Sequence, residues 1–264
     1  MGELRILVCV KRVPAPGARI VLTDDAMNID TRNLGFTTSP HEECAVEAAI
    51  QLVEQHGGSV TVLTLGTDDA EEQLRYAISV GAHHGVIVSN DAIADGQDPD
   101  GLNTARAIAA AIRDLESTDG QYDIVLFGND SADSGGFQVG VRVARAFDRP
   151  IINGIKGIEI NDVSVVARRE CPEGYEVYEL ELPAMLGVKE GINLPRYATL
   201  PGRLRSKKAT LVCIDHATEV DSRVKTIKFE IPNEEVKDTV ILGTGPDAAA
   251  AVVDMMIELG VAPQ

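Results

Sequence analysis

Residues 121–147 read QYDIVLFGNDSADSGGFQVGVRVARAF. Tyr122 to Phe127 is a short apolar run, the pattern of a strand buried on both faces of a parallel sheet. Gly128-Asn129-Asp130-Ser131 breaks it and Ser134-Gly135-Gly136 follows. Val139, Val143 and Phe147 then recur with helical spacing. A strand therefore runs into a small-residue loop, and the loop opens a helix. A helix N-terminus offers unpaired N–H groups and a positive dipole end, and glycines let a phosphate approach the backbone. Such a junction suits a nucleotide phosphate, yet two glycines in an αβ connection also serve tight packing alone. Neither GxGxxG nor GxxxxGK[ST] occurs to separate the two readings.

Upstream, Leu4 to Val10 reads as a buried first strand. Lys11 to Thr38 is a polar excursion, a surface loop or ribbon. Ser39-Pro40-His41-Glu42 announces a helix. Ser39 suits the N-cap, Pro40 the first helical position, and Glu42 completes a capping box. Gly57-Gly58 ends that helix. His41 and Cys44 lie one turn apart, a spacing open to a metal, with no further ligands in sight. Ser59 to Leu65 is the second strand, Asp68 to Val80 a helix, and Gly85 to Ser89 a third strand after a His83-His84 surface turn. Asp98-Pro99 caps a helix reaching Leu115. Strands alternating with helices predict a doubly wound parallel sheet with helices on both faces. Ligands in such sheets sit at the carboxyl ends of strands, so Cys9-Val10, Leu65-Gly66 and Phe127-Gly128 are expected to share one cleft with Gly135 and Gly136.

Beyond Pro150 the pattern turns antiparallel. Gly157 to Ile160 and Val163 to Arg169 flank an Asn161-Asp162 turn, and Tyr175 to Leu182 follows a second turn at Cys171-Pro172-Glu173-Gly174. Glu170, Glu173, Glu176, Glu179 and Glu181 make this ribbon acidic. Ala184 to Val188 is another apolar run. Lys189 to Lys208 shows no clear periodicity and carries Arg196, Arg203, Arg205, Lys207 and Lys208 against the single acid Glu190. Apolar Ile192 and Leu194 beside that charge suggest a docking surface on a long loop. A strand at Ala209 to Ile214 and a helix near Asp247 to Leu259 complete the chain. The expected division is an α/β domain over 1–188, with the ribbon at 155–188, then a recognition loop at 189–208 and an extension over 209–264.

Composition sets the class. With 44% apolar and 25% charged residues, the 264-residue chain has ample material for a core. Its net charge of −17 speaks against nucleic-acid partners, which need a basic footprint. The cysteines Cys9, Cys44, Cys171 and Cys213 form no CxxC pair, so reduced cytosolic thiols are expected rather than a metal site. No signal-like N-terminus and no run of membrane-spanning length occurs, which points to the cytoplasm.

Together LRILVCVKRV, the Ser39-Pro40-His41-Glu42 helix start, Gln138-Val139-Gly140, ARRECPEGYEVYELELPAMLGV and NLPRYATLP resemble the β subunit of electron transfer flavoprotein, over roughly residues 1–214. The resemblance implies an adenine nucleotide α-hydrolase-like (Rossmann-like) fold and pairing with an α subunit that holds most of an FAD. It implies AMP bound in the β chain, on Cys9, Ser39, Leu65 and the stretch Ser131, Asp133, Ser134, Gly135, Gly136, Phe137, Gln138, Val139, Gly140. Ile192 falls where the family has an apolar anchor for an acyl-CoA dehydrogenase, and Glu170 matches a glutamate facing the mobile flavin domain. Leu194, Arg196, Arg203 and Arg205 would complete the docking rim. Electrons would pass from flavin dehydrogenases, as in fatty acid β-oxidation, to a quinone reductase, with this chain as carrier subunit rather than catalyst.

Some positions depart from the family. Ser39 stands where Asn is frequent, and ADSGGFQVGV lacks the Thr and Pro of the bifurcating type. AMP is the leading expectation. The alternative is a second FAD oxidising NADH, and a stand-alone nucleotide-binding regulator is a reading of another class. A hydrolase finds no nucleophile–base pair.

Overall fold

Leu4–Cys9 (β1) is apolar at nearly every position, so both of its faces must be covered, and it lies near the middle of a nine-stranded sheet. The computed structural model describes residues 3–89, 99–161, 163–215, 224, 226–232 and 239–261. It divides into two compact units, Met1–Ile227 and Lys228–Gln264.

In the first unit, β1 leads through a two-stranded ribbon, Val13–Pro14 (β2) with Phe36–Thr37 (β3), to helix Pro40–His56 (α1). Strand Gly58–Leu65 (β4), a 3-10 turn at Asp68–Ala70, helix Glu71–Val80 (α2) and strand His84–Ser89 (β5) follow. Helix Gly101–Asp119 (α3), strand Ile124–Gly128 (β6) and helix Val139–Phe147 (α4) come next. The ribbon strands are Ile151–Asn161 (β7), Ser164–Cys171 (β8) and Gly174–Glu181 (β9), followed by Ala184–Val188 (β10), helix Leu200–Lys208 (α5) and Val212–Asp215 (β11).

Strand order is β11-β5-β4-β1-β6-β10-β7-β8-β9, parallel from β11 to β7 and antiparallel through β8 and β9. Side chains alternate across the sheet, so each strand feeds two cores. Ile6, Val8, Val62 and Leu126 pack with α1 and α2, while Leu7, Leu63, Val125 and Met185 pack with α3 and α4. From β1 the chain moves outward to β4 and β5, then returns to β6 on the other side. The helix after β1 covers one face and the helix after β6 covers the other, which opens a crevice at the carboxyl ends of β1 and β6.

Several expectations change. Lys189 to Lys208 is not structureless: it ends in α5, capped by the Thr199 hydroxyl, which accepts from the Gly202 N–H at 3.2 Å. Helix α5 packs on α2, so tertiary contact holds a stretch that has no apolar stripe of its own. The cap of α3 is Asp100, accepting from Leu102 and Asn103 N–H, and the helix runs past Leu115 to Asp119. Asp98 lies outside the described residues. His83 is no loose turn: its Nδ1 accepts the Val60 N–H at 3.1 Å, and His84 opens β5.

The second unit contains a short 3-10 turn, Gly245–Ala248, and helix Ala249–Glu258 (α6). Val252, Val253, Met256 and Leu259 of this unit are exposed. Among the described residues no helix is long and apolar enough to cross a membrane.

Candidate functional site

Helix α1 begins as its sequence demands. Ser39 caps it, the Ser39 Oγ accepting the Glu42 N–H at 3.2 Å and Glu42 Oε2 accepting the Ser39 N–H at 3.0 Å. Glu42 Oε1 also accepts the Lys11 N–H at 2.9 Å, so one carboxylate ties the end of β1 to the start of α1. A Cβ added to Gly128 would lie 2.8 Å from Glu42 Cγ, and α1 therefore rests directly against the end of β6. Burial pushes the Glu42 carboxyl from 4.5 up to about 7, against the N–H groups of Ser39 and Lys11, which hold it down.

That shift has a sign. Between the two values the folded state holds more proton than the unfolded one, so stability falls as pH rises from about 4.5 to about 7 and levels off above. The slope approaches about 1.4 kcal/mol per pH unit within that window. Urea unfolding at pH 5, 6, 7 and 8 should show this slope, and Glu42→Gln should flatten it. Equal slopes in the two proteins would assign the pH dependence to other groups.

The loop after β6 returns over the strand ends. Lys11 Nζ pairs with Asp133 at 2.6 Å, and His41 Nε2 lies 3.4 Å from Asp130. Ser131 and Ser134 hydroxyls share a hydrogen bond of 2.6 Å, and the Gly135 N–H donates to the Ser131 carbonyl at 2.8 Å. Gly135 has φ of 57°, a conformation that favours glycine, and a Cβ there would meet nothing within 4 Å. A Cβ on Gly136 would meet only Ser134 Oγ, at 3.8 Å. Tight packing therefore does not explain these glycines; they border open space.

The sequence-derived residues divide into two layers. Cys9 and Ser39 are buried beneath the surface and Leu65 is half-buried. Asp133, Ser134, Gly135, Gly136, Phe137 and Gln138 are exposed, while Ser131, Val139 and Gly140 are half-buried. β4, β1 and β6 are adjacent, so the ends carrying Leu65, Cys9 and Gly128 do lie side by side. Gln138 faces the start of α3, where a Cβ on Gly101 would lie 2.8 Å from its side chain. The helix ends around this crevice differ in one respect. α1 and α3 are capped by Ser39 and Asp100, and the 3-10 turn and α2 after β4, though without a side-chain cap, carry Asp68, Asp69, Glu71 and Glu72 in their first turns, whereas α4 has neither a side-chain cap nor an acid in its first turn. Its N-terminus is the one in this group able to take an outside anion. With Lys11 nearby and open space at the glycines, these residues fit a phosphate-bearing ligand.

The docking residues fall elsewhere, along α1. After β10 the chain lies against a stripe of that helix. The Glu190 N–H donates to His41 Nδ1 at 2.9 Å and the Asn193 amide to the Cys44 carbonyl at 3.0 Å. Arg196 reaches both Glu47 (Nε to Oε2, 2.9 Å) and Glu54 (Nη1 to Oε1, 2.6 Å). Arg196 is therefore a clamp and not a rim charge, and Arg205 is occupied in donating to the Ile78 carbonyl at the end of α2. Ile192 is half-buried and packs against the core. The most exposed apolar groups are Leu194 and Tyr197, at 89% and 90%, with Leu200, Arg203 and Leu204 also exposed on α5. Glu170 is held by Lys156 at 2.8 Å, which keeps its carboxyl below the usual range. His41 and Cys44, whose one-turn spacing is open to a metal in the sequence, both fasten this segment. Their helical spacing with Glu47 was the available signal.

The electron transfer flavoprotein domain, as a family, matches residues 26–219. The chain belongs to the electron transfer flavoprotein family. An electron transfer flavoprotein subunit β of Syntrophomonas wolfei is 34% identical over 232 residues, covering 87% of this chain and 86% of the relative. The Bacillus subtilis subunit β is 28% identical over 259 residues, covering 96% and 97%. Protein FixA of Azorhizobium caulinodans is 31% identical over 212 residues, covering 79% and 74%. This electron transfer flavoprotein chain is thus of the β-subunit type, with the Rossmann-like sheet expected of it and a role in electron transport.

Proposed function

We propose that this chain is the β subunit of a heterodimeric electron transfer flavoprotein, and that its strand-end crevice holds AMP as a structural ligand. The observation that carries the nucleotide reading is the start of α4 above Gly135 and Gly136, which has neither a side-chain cap nor a first-turn acid, whereas its neighbours have one or the other. The flavin, held mostly by the α subunit, supplies the redox chemistry when bound. This chain contributes a scaffold, a docking surface and Glu170 toward the flavin-bearing domain. The exposed apolar side chains of the 228–264 unit suit an extended contact with the α subunit. Flavin dehydrogenases of the acyl-CoA type would donate, a quinone reductase would accept, and the setting would be cytoplasmic.

The open space at the glycines also favours a second reading, a bifurcating complex with FAD in the β site, because a diphosphate would fit there. Nucleotides released by denaturing the co-purified heterodimer separate the two. One FAD with one AMP supports the proposal, whereas two FAD without AMP replaces it by NADH oxidation.

For docking, a small apolar anchor with a cationic edge suits a transient redox encounter. We assign Leu194 and Tyr197, which are more exposed than Ile192, to this anchor beside it. Leu194→Ala should slow reduction by the donor dehydrogenase several-fold with bound flavin unchanged. Unaltered donor kinetics would remove Leu194 from the interface.

A further inference from the structure

The stripe of α1 that holds the docking segment begins at His41, and His41 faces two ways. Its Nδ1 accepts the Glu190 N–H at 2.9 Å, so that nitrogen carries a lone pair and the ring hydrogen sits on Nε2. Nε2 lies 3.4 Å from Asp130 Oδ1, in the loop that leaves β6 for the crevice. The same Oδ1 accepts the Asn129 side-chain amide at 2.8 Å, so the carboxylate is held in place by its own loop. One imidazole, with 19% of its side chain exposed, therefore touches both the crevice loop and the first residue pair of a segment 149 positions away in sequence.

We propose that His41 is a positioning residue that couples the 129–137 loop to the docking segment, so that filling the crevice with an adenine nucleotide fixes the segment at Glu190. The nucleotide half of this coupling rests on the reading of the crevice given above; the contact of Asp130, His41 and Glu190 does not. A ligand that orders the loop orders Asp130. An ordered Asp130 carboxylate holds the ring hydrogen on Nε2 and fixes the plane of the ring. The Nδ1 lone pair then stays aimed at the Glu190 N–H. When the crevice is empty the contact still forms, but the loop moves more, the ring turns more often and the amide is without its acceptor for part of the time. The change stays local, because Asn193 and Arg196 keep their own attachments to Cys44, Glu47 and Glu54. Gly191, at φ of 86°, lies between the His41 and Cys44 attachments and gives the chain a place to swing.

Hydrogen exchange at the Glu190 amide in the co-purified heterodimer, stripped of nucleotide and then given AMP, tests the coupling. AMP should slow that exchange by about tenfold, an opening free energy readily resolved by the method. His41→Phe should exchange fast with or without AMP while still binding AMP. His41→Gln, whose amide can accept from Glu190 and donate to Asp130, should restore the AMP dependence. The same AMP response in His41→Phe as in the parent protein overturns the proposal, and so does AMP binding without any response at Glu190. Asp130→Ala, measured without nucleotide, should speed Glu190 exchange several-fold; unchanged exchange there removes the contact from the account. If equilibrium dialysis shows no AMP uptake, the nucleotide half falls together with the site reading, and the Asp130→Ala comparison still decides the His41 link.

Discussion

Replacing Gly202 with alanine is expected to lift α5 off α2 and to destabilise the chain by about 3 kcal/mol, the upper end of ordinary overpacking. The added Cβ would fall 2.1 Å from the Ser79 carbonyl oxygen, a backbone atom of α2 that cannot swing aside as a side chain would. Relief requires one helix to move. α5 is the element with weaker ties, held by the Thr199 cap, by Arg205 on the Ile78 carbonyl, and by Arg75 on the Ser206 and Ala209 carbonyls. Denaturant unfolding should show the loss, and trypsin should cut faster at Arg203, Lys207 and Lys208 than in the parent protein. A variant with unchanged stability and cleavage would mean that the two helices do not meet at this glycine.

The second large effect is at Arg196. Its side chain is 34% exposed, but that of its partner Glu47 is only 5% exposed, and the Glu47 carboxylate makes its bonds to Arg196 and to the Gln51 side chain. Removing one member of a fully buried pair costs about 3–5 kcal/mol, because the other charge stays behind in a poor solvent. Partial exposure here lowers the figure, and Arg196→Met is expected to cost about 2 kcal/mol. Exchange of amides in residues 193–199 should rise with it. The double variant Arg196→Met with Glu47→Leu should regain most of the stability, since no charge is then stranded, and yet leave those amides fast. Full recovery of both properties would show that packing, not the ion pair, holds the segment to α1.

Much of this fold is legible along the chain, and the reason lies in local chemistry. Ser39, Pro40 and Glu42 satisfy orphan N–H groups within four residues, so the start of α1 can be read without any tertiary knowledge. Alternation likewise announces the ribbon strands that pair at Asn161 with Ser164 and at Cys171 with Gly174, Asp162 of the expected turn lying outside the described residues. What is hidden depends on partners far away in sequence. LPGRLRSKK carries no apolar stripe, and its helix exists because Thr199 caps it and α2 receives it. Arg196 looks like free charge until Glu47 and Glu54 arrive from another element. Ile192 and Leu194 are equivalent as letters, and only the packing of the segment on α1 turns one inward and the other out. For the crevice, strand ends could be matched in advance. The burial of Cys9 and Ser39 beneath an exposed glycine loop could not, because depth is a property of the assembled sheet.

The place of β10 bears on how the chain assembles. It is parallel to β6 on one side and to β7 on the other, and it is made after both. While a ribosome is still short of residue 188, β6 and β7 have no direct ladder to share, and the β7–β9 ribbon can fold only upon itself. Insertion of five residues, Ala184–Val188, then joins the two halves of the sheet. β11 must similarly wait to pair with β5 from far upstream. Folding of this chain should therefore be limited by late, non-local strand insertion rather than by helix formation, with a nascent species whose unpaired β6 edge needs shelter until translation has passed the ribbon.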